Sequence, residues 1–418
     1  MEIGLPPATR ERTPSVIPCK VNISLAAGRY LLYKEGAFTA YSPFLSYGKQ
    51  LVRISLVITE LDPGGAERAL VHLACGLQDR NIAVFVISLK PLPSAPGDEL
   101  VRQLKERDIG VTSLNIHNMV GFLKSRTRLR LLLRDHQPDI VQSFLHHANI
   151  LCAMCRSRQD GFKLVAGYRV ADPGRWRAFL ERRYRRCWDH FCCVSDEVAE
   201  DLLIRLQLED GIVTTIPNGV DIHRFKDTIP LPPTSLGSSE GRRLLGIIGR
   251  LDPQKGLDQL LPHLPDLLDN LPGHDLVIAG EGPLRNKLQG AINTSGLGGR
   301  VTLAGWVQDI PGFLTSIEAL LLPSLWEGMP NVVLEAMAAG IPVVAFRVQG
   351  ITELLGDTPS PQLAEPGDYN TFCQNVAMIA GSPEIAHDLG HTNAIDVTRF
   401  SIPAMVDRYT QLYQALTE

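Results

Sequence analysis

The chain has 418 residues, 44% of them hydrophobic and 21% charged, which supports a large buried core and excludes intrinsic disorder. The chain has 45 Asp and Glu and 41 Lys and Arg, and the resulting net charge of −4 argues against nucleic acid as a partner. The sequence shows no bilayer-length apolar run, no signal-peptide block and only eight cysteines, so we expect a cytoplasmic α/β protein of two or three domains.

From Leu51 onward, β-branched runs alternate with amphipathic segments, which predicts a parallel sheet with helices on both faces. Residues 1–50 lack a clear period and are interpreted as an N-terminal extension. In the first predicted domain, 51–225, the expected strands are 51–58, 82–88, 111–115, 139–143, 163–167, 190–194 and 212–216. The expected helices are 66–79, 98–107, 122–135, 174–187 and 196–206.

A Pro- and Ser-rich linker, 226–241, separates this series from a second predicted domain, 242–398, and a terminal helix within 399–418 could cross back to the first. The expected strands of the second domain are 243–249, 274–279, 300–304, 318–322 and 342–346. Its expected helices are 257–270, 283–293, 331–339 and 369–380. Two doubly wound domains normally bind their ligand in the cleft at the carboxyl ends of both sets of strands.

Loops that follow these strands carry the candidate binding residues. Gly64 and Gly65 precede the first helix. Two glycines let the backbone approach a ligand, and the helix N-terminus behind them favours an anion, although a tight turn would need the same glycines. In the second domain, Arg250 and Lys255 are placed to neutralise a diphosphate, unless they only decorate a solvated turn. The next strand ends in a turn that offers amides and one carboxylate, or simply begins a helix, and its residues are Gly280, Glu281 and Gly282.

The stretch LLLPSLWEGMPNVVLEAMAAGIPVVAF is the most informative. Glu327 lies in the loop after a buried strand and Glu335 lies eight residues later, in the first turns of a helix. Amides at that helix start could hold phosphate oxygens while the carboxylates accept bonds from sugar and ribose hydroxyls. The alternative is that Glu335 only complements the helix dipole.

With IPNGVDIHRF (216–225), GRLDPQKG (249–256) and AGEGP (279–283), this stretch resembles the family 4 (group 1) glycosyltransferases over about 51–416. The resemblance implies a GT-B fold, two Rossmann-like domains facing a cleft. It implies a retaining enzyme that needs neither a metal nor a cofactor and moves a sugar from a UDP- or GDP-sugar to a glycan or lipid-linked acceptor, as in polysaccharide biosynthesis.

By the same resemblance, Arg250 and Lys255 bind the diphosphate, Glu327 contacts the transferred sugar and Glu335 contacts the ribose. Gly65 lies against the donor phosphates. Backbone amides of one further segment meet sugar and phosphate, and that segment comprises Met329, Pro330, Asn331 and Val332. A front-face displacement with the leaving phosphate as base is the mechanism usually proposed for the family.

The sequence departs from the family pattern after the strand at 139–143, where Gln142 and Phe144 replace a His-x-His motif. Because some relatives read Phe-His-Ala-Asn here, His147 is a candidate for the ring that faces the sugar, against a purely structural role. The later Gly-Gly-x-x-Glu segment reads QGITE, in which Glu353 keeps the acid.

Residues 174–190, GRWRAFLERRYRRCWDH, form a basic and aromatic helix in the acceptor domain, and 122–134 is a second such segment. Either could lie on the inner face of an anionic membrane or receive a lipid-linked acceptor, or be an ordinary salt-bridged surface. Two other functions stay open: a GT-B epimerase or hydrolase of nucleotide sugars, and an inactive sugar-nucleotide-binding subunit.

Overall fold

The computed structural model describes residues 25–26, 29–34, 37–40, 52–95, 97–170, 175–356 and 360–418, and it separates Met1–Leu51 from a compact unit of Val52–Glu418. In the first unit, three short strands pair in antiparallel order: β1 (Leu25–Ala26), β2 (Arg29–Lys34) and β3 (Ala37–Ala40). The sequence did not predict these strands, and the rest of the proposed extension lies outside the described residues.

The first domain of the larger unit is built on a seven-stranded parallel sheet of order β10-β9-β8-β7-β4-β5-β6. All seven predicted strands are confirmed, with their ends moved by a residue or two. They are β4 (Arg53–Ile58), β5 (Ala83–Ser88), β6 (Gly110–Ser113), β7 (Ile140–Phe144), β8 (Lys163–Tyr168), β9 (His190–Cys193) and β10 (Val213–Thr215). The helices are α1 (Gly65–Gln78), α2 (Glu99–Glu106), α3 (Met119–His136), α4 (His146–Cys155), α5 (Arg175–Tyr184) and α6 (Asp196–Leu206).

The second domain has a six-stranded parallel sheet of order β13-β12-β11-β14-β15-β16. Its strands are β11 (Arg243–Ile248), β12 (His274–Ala279), β13 (Val301–Gly305), β14 (Ala319–Leu322), β15 (Val343–Phe346) and the unpredicted β16 (Leu363–Ala364). Its helices are α7 (Leu257–Leu260), α8 (Leu264–Asn270), α9 (Arg285–Thr294), α10 (Ile310–Thr315), α11 (Asn331–Ala338), α12 (Ile351–Leu355), α13 (Tyr369–Gly381) and α14 (Pro383–Asp396). Of these, α10, α12 and α14 were not predicted.

The prediction of a single helix over 257–270 was wrong. A 3₁₀ turn, Leu261–His263, separates α7 from α8. Pro262 and Pro265 explain the break, because neither has an amide hydrogen to donate and each ring clashes with a preceding carbonyl inside an α-helix. Both prolines therefore stand in the first positions of a new helical segment, where the missing donor has no cost.

The last helix, α15 (Ile402–Thr417), returns to the first domain. Its Val406 side chain packs on Gly76 of α1, where no larger residue would fit, and Arg80 donates to Asp407 with Nε at 3.1 Å. Tyr413 Oη donates to the buried Gln142 Oε1 at 3.3 Å. Gln142, one of the departures from the family pattern, thus contacts α15. None of the helices in the described ranges is long and apolar enough to cross a bilayer.

Both sheets reverse their strand order at one point, between β4 and β7 in the first domain and between β11 and β14 in the second. In open α/β sheets the ligand binds outside the carboxyl ends of the strands at such a switch point. The loops that follow these four strands carry Gly64–Gly65, His147, Arg250 with Lys255, and Glu327. The topology therefore brings most candidate residues to the functional edge of each sheet.

Candidate active site

The turn after β11 brings Lys255 to Glu327. Lys255 ends a short 3₁₀ turn, Pro253–Lys255, and Gly256 follows with a φ of +64°. A side chain at Gly256 would begin only 2.1 Å from the carbonyl oxygen of Pro323, so only glycine lets this turn pack on the end of β14. As a result Lys255 Nζ lies 2.5 Å from Glu327 Oε1.

Lys255 and Glu327 form a largely buried ion pair, and Gln254 fixes the loop around it. The Gln254 carbonyl accepts from the Leu325 amide at 2.8 Å, and its side chain donates to the Trp326 carbonyl at 2.8 Å. Burying two charges is costly unless each finds its partner, so the pair is held in one arrangement. The structure thus brings together two of the predicted site residues.

Arg250 is placed differently from Lys255. Its side chain is 74% exposed, and its nearest carboxylate oxygen, in Asp252, is 3.8 Å away. An exposed pair at that distance contributes little to stability. The Arg250 guanidinium can therefore move to an anionic ligand with little loss to the protein.

The turn of Gly280, Glu281 and Gly282 packs on the Arg250 turn. The Leu251 amide donates to the Glu281 carbonyl at 3.0 Å, and the Leu251 carbonyl accepts from Leu284 at 2.9 Å. The Glu281 carboxylate pairs with Arg285 at 3.0 Å on the surface. These contacts support the Arg250 turn, and the glycines make the close backbone approach that this packing requires.

Helix α11 begins beside the ion pair and carries the second carboxylate. No side chain in the described part of the chain caps its N-terminus, because Pro330 precedes Asn331 there. The Val333 amide donates to the Pro330 carbonyl at 3.1 Å, and the first amides of the helix point out of its end, where an anion can accept from them. Glu335 lies one turn further on, 3.5 Å from Arg68 of the first domain. Burial raises the pKa of Glu335, and Arg68 opposes that shift.

Helix α1 meets α11 across the cleft. Gly64 precedes α1 and has no side chain with which to cap it, Gly65 is its first residue, and the Glu67 carboxylate accepts from its own backbone amide in the first turn. Asn331 Nδ2 donates to the Gly65 carbonyl at 3.0 Å. Two helix N-termini, one from each domain, thus point to the same part of the cleft, where their partial positive charges would attract an anion. Met329 is buried between them, and Val332 is the second residue of α11.

The loop after β7 presents two histidines at the start of α4. Leu145 precedes them with φ +72° and ψ 154°, a backbone conformation that is strained for a residue other than glycine. His146 Nδ1 lies 2.8 Å from the buried Glu181, whereas His147 is exposed, with its ring 5.6 Å from that of His146. Although its side chain is exposed at one side, the His147 imidazole is partly shielded from water, and this shielding above all, followed by the neighbouring His146, lowers the pKa of His147. Among the described contacts, His147 reaches none of the other candidate residues.

Three residues in the cleft were missed by sequence reasoning: Arg68, Arg169 and Asn218. Asn218 donates to Asn331 Oδ1 at 2.7 Å and accepts from the Arg169 guanidinium. Arg68 could have been found, since it follows the glycine pair by one helical turn. Asn218 stood in the motif IPNGVDIHRF without an assigned role. Arg169 had no local signal.

Residues 174–190 combine surface and core positions, although Gly174 and the Arg175 side chain lie outside the described residues. Trp176 and Phe179 are 73% and 57% exposed, with stacked rings 5.4 Å apart. Trp188, in contrast, is buried. Arg182 donates to the Arg205 carbonyl at 2.6 Å and thus supports the end of α6.

Two facing Rossmann-like domains that direct cations, carboxylates and two helix N-termini into one cleft define a GT-B glycosyltransferase. The profile for "Glycosyltransferase Family 4" matches residues 63–224, and that for "Glycosyl transferases group 1" matches residues 242–382, which together are well over half of the chain. The chain belongs to glycosyltransferase family 4, group 1.

Among its relatives is the UDP-Gal:alpha-D-GlcNAc-diphosphoundecaprenol alpha-1,3-galactosyltransferase of Escherichia coli, 27% identical over 313 residues, which are 71% of this chain and 80% of that enzyme. The lipopolysaccharide core biosynthesis glycosyltransferase LpsE of Rhizobium meliloti is 25% identical, over 84% of this chain and 95% of LpsE. In fold, the chain resembles Anabaena HepE, solved in complex with UDP and glucose, with a TM-score of 0.73, 19% identity and coverage of 87% and 100%.

Proposed function

We propose that this protein is a retaining glycosyltransferase that moves a hexose from a UDP-sugar to a lipid-linked diphosphate acceptor without a metal ion. The buried Lys255–Glu327 pair beside the uncapped start of α11 carries the proposal. It joins a cation, a carboxylate and a helix N-terminus at the switch point of the second sheet, which are the groups that a sugar diphosphate requires.

The proposed reaction is a displacement in which every bond and proton is accounted for. The bond between the anomeric carbon and the β-phosphate oxygen breaks, and the acceptor oxygen bonds to the same face of that carbon. The acceptor proton passes to the departing phosphate. Lys255, Arg250 and the N-termini of α1 and α11 neutralise the charge that develops on the diphosphate, which takes the place of a metal. Glu327 holds sugar hydroxyls and Glu335 holds the ribose. His147 faces the sugar from the first domain.

The relatives support the choice of donor and acceptor. The E. coli relative is named for a UDP-Gal donor and a diphosphoundecaprenol-linked acceptor, and HepE was solved with UDP. GDP is the alternative nucleotide. We expect UDP, at 100 times its dissociation constant, to stabilise the protein by about 2.7 kcal/mol.

A thermal-shift panel of UDP, GDP, ADP and their sugar conjugates tests the nucleotide. Only uridine compounds should raise the melting temperature of the wild type, and the shift should persist in EDTA. A rise with GDP alone would correct the nucleotide, and no rise with any compound would contradict the proposed nucleotide-sugar donor.

The stereochemistry and the acceptor need a turnover assay. The proton–proton coupling at the anomeric carbon of the product should match that of the donor, because retention keeps the configuration. Donor consumption should depend on an added polyprenyl-diphosphate sugar. Consumption at the full rate without any acceptor would instead identify a hydrolase or an epimerase.

We also propose that helix α5 and the start of α3 contact an anionic membrane. Trp176 and Phe179 are exposed beside Arg183 and Arg186, and Met119 and Val120 are exposed at the start of α3. Apolar side chains among arginines suit the boundary between headgroups and acyl chains.

Flotation with vesicles tests this contact. The double variant Trp176→Ala/Phe179→Ala should lose roughly 10-fold or more in binding to phosphatidylglycerol-containing vesicles, since each buried aromatic contributes about 1.5–3 kcal/mol. Ile229→Ala, which removes an equally exposed apolar side chain from the linker, is the matched control and should bind as the wild type does. Equal flotation of all three proteins would contradict the proposal.

A further inference from the structure

A chain of hydrogen bonds crosses the cleft through the side chain of Asn218. Asn218 lies in the segment that leaves the first domain after β10, and it is only 4% exposed. Its amide nitrogen donates to the Met329 carbonyl at 3.1 Å and to Asn331 Oδ1 at 2.7 Å. Its amide oxygen accepts from the Arg169 guanidinium. Every polar atom of this buried side chain is therefore bonded.

The chain of hydrogen bonds continues to helix α1. Asn331 accepts from Asn218 with its oxygen and donates to the Gly65 carbonyl with its nitrogen, at 3.0 Å. Because an amide has one acceptor end and one donor end, these two contacts fix its orientation. The start of α11 is thereby held against the start of α1, although the two helices belong to different domains.

Arg169 attaches this chain of hydrogen bonds to the first domain. It follows β8, and its guanidinium lies 5.6 Å from the centre of the Phe144 ring at the end of β7. The carbonyl of Arg169 also borders Gly328, where a side chain would begin only 1.7 Å from that oxygen. Only glycine allows this approach of the Glu327 loop, so the backbone of Arg169 contacts the second domain while its side chain holds Asn218.

We propose that Asn218 is a positioning residue that sets the distance between the two helix N-termini and so couples closure of the cleft to the diphosphate site. The proposal rests on the proposed function for its catalytic part. Asn218 itself is not placed on the substrate. It acts through Asn331, and its loss would leave Arg250 and Lys255 in place while the backbone amides at Gly65 and at the start of α11 are no longer held against each other.

Hydrogen exchange of the ligand-free protein tests the coupling without any assumption about substrates. Asn218→Asp keeps the acceptor for Arg169 and removes both donated bonds. Amides within 64–70 and 328–335 should then exchange roughly 10-fold faster, and together, since each bond contributes about 0.5–1.5 kcal/mol. Unchanged exchange in 64–70 would overturn the proposal.

Two further variants separate coupling from loss of stability. Asn331→Asp keeps the bond from Asn218 but removes the bond to Gly65, so only 64–70 should exchange faster. Asn393→Asp makes the same chemical change in another buried amide, which donates to Gln362 Oε1 at 2.9 Å far along the chain. It should leave both segments as in the wild type, and if it accelerates them equally, Asn218 has only a general structural role.

Steady-state kinetics give the functional readout. In Asn218→Asp we expect kcat to fall roughly 10-fold, as the loss of about 1.4 kcal/mol would produce, with the donor KM within about 3-fold of the wild type. A rise in KM at unchanged kcat would overturn the proposal. Failure of the wild type to bind UDP in calorimetry would refute the donor assignment instead, which leaves the exchange result as the test of the coupling.

Discussion

Replacing Lys255 by alanine is expected to lower kcat roughly 10²–10³-fold, the loss that follows removal of one preorganised group from developing negative charge. Lys255 Nζ is held 2.5 Å from Glu327 Oε1 before any substrate binds, so the cation needs no rearrangement to meet the departing diphosphate. The variant also leaves the buried Glu327 carboxylate without its partner, which is costly in itself. Initial rates with UDP-sugar and acceptor, at saturating concentrations, measure the effect.

Lys287→Ala is the matched control for this experiment. Lys287 pairs with Asp258 at 2.8 Å on the surface of the second domain, so its loss removes the same charge from the protein but not from the cleft. Its kcat should stay within about 2-fold of the wild type, because exposed pairs contribute little. A second variant, Lys255→Ala/Glu327→Gln, removes the unpaired carboxylate. If its kcat returned to the wild-type level, the cation would have only a structural role.

The fold was predictable because its signals are local. Alternating β-branched and amphipathic runs marked all seven strands of the first domain, and the same rule held for β11–β15. The rule failed over 257–270, where apolar residues kept a helical period through Pro262 and Pro265. Periodicity reports which face is buried, whereas the prolines decide where backbone hydrogen bonds can form.

The candidate site was predictable in part for the same reason. Lys255 and Glu327 stand directly after strands, so their meeting at one edge of a parallel sheet follows from topology. Asn218 and Arg169 could not be placed in this way. Their partners lie far away in sequence, Asn331 for the one and the Gly328 backbone for the other, and only the approach of the two domains brings them together.

The second large expected effect is on the stability of the protein, and it comes from Glu67. Glu67 lies in the first turn of α1 and is 7% exposed. Burial raises its pKa from 4.5 to about 7, the bond from its own backbone amide and Arg169 oppose the shift, and Glu60 adds to it. Between pH 4.5 and about 7, Glu67 is therefore protonated more often in the folded protein than in the unfolded chain, and this residue makes stability fall as the pH rises. At about 1.4 kcal/mol per pKa unit, the full effect above pH 7 is roughly 3 kcal/mol.

Glu67→Gln should remove that penalty, since glutamine has the shape of the protonated acid and cannot ionise. We expect the variant to be more stable than the wild type by roughly 3 kcal/mol at pH 8 and nearly equal to it at pH 4. Urea unfolding at pH 4, 5, 6 and 8 measures the difference. Comparing variant with wild type at each pH also cancels the opposite effect of His72, whose pKa burial lowers to about 4, so that it destabilises both proteins as the pH falls from 6.5.

Glu99→Gln is the matched control, because Glu99 is an exposed glutamate at the first residue of α2. Its unfolding curves should follow those of the wild type at every pH. If Glu67→Gln differed from the wild type by a constant amount across the range, the Glu67 carboxylate would be solvated in the folded protein, and the first turn of α1 would be open to water. A difference that grows with pH would show instead that α1 begins in a dry environment, where the cost of burying the carboxylate outweighs the stabilisation that its backbone amide provides.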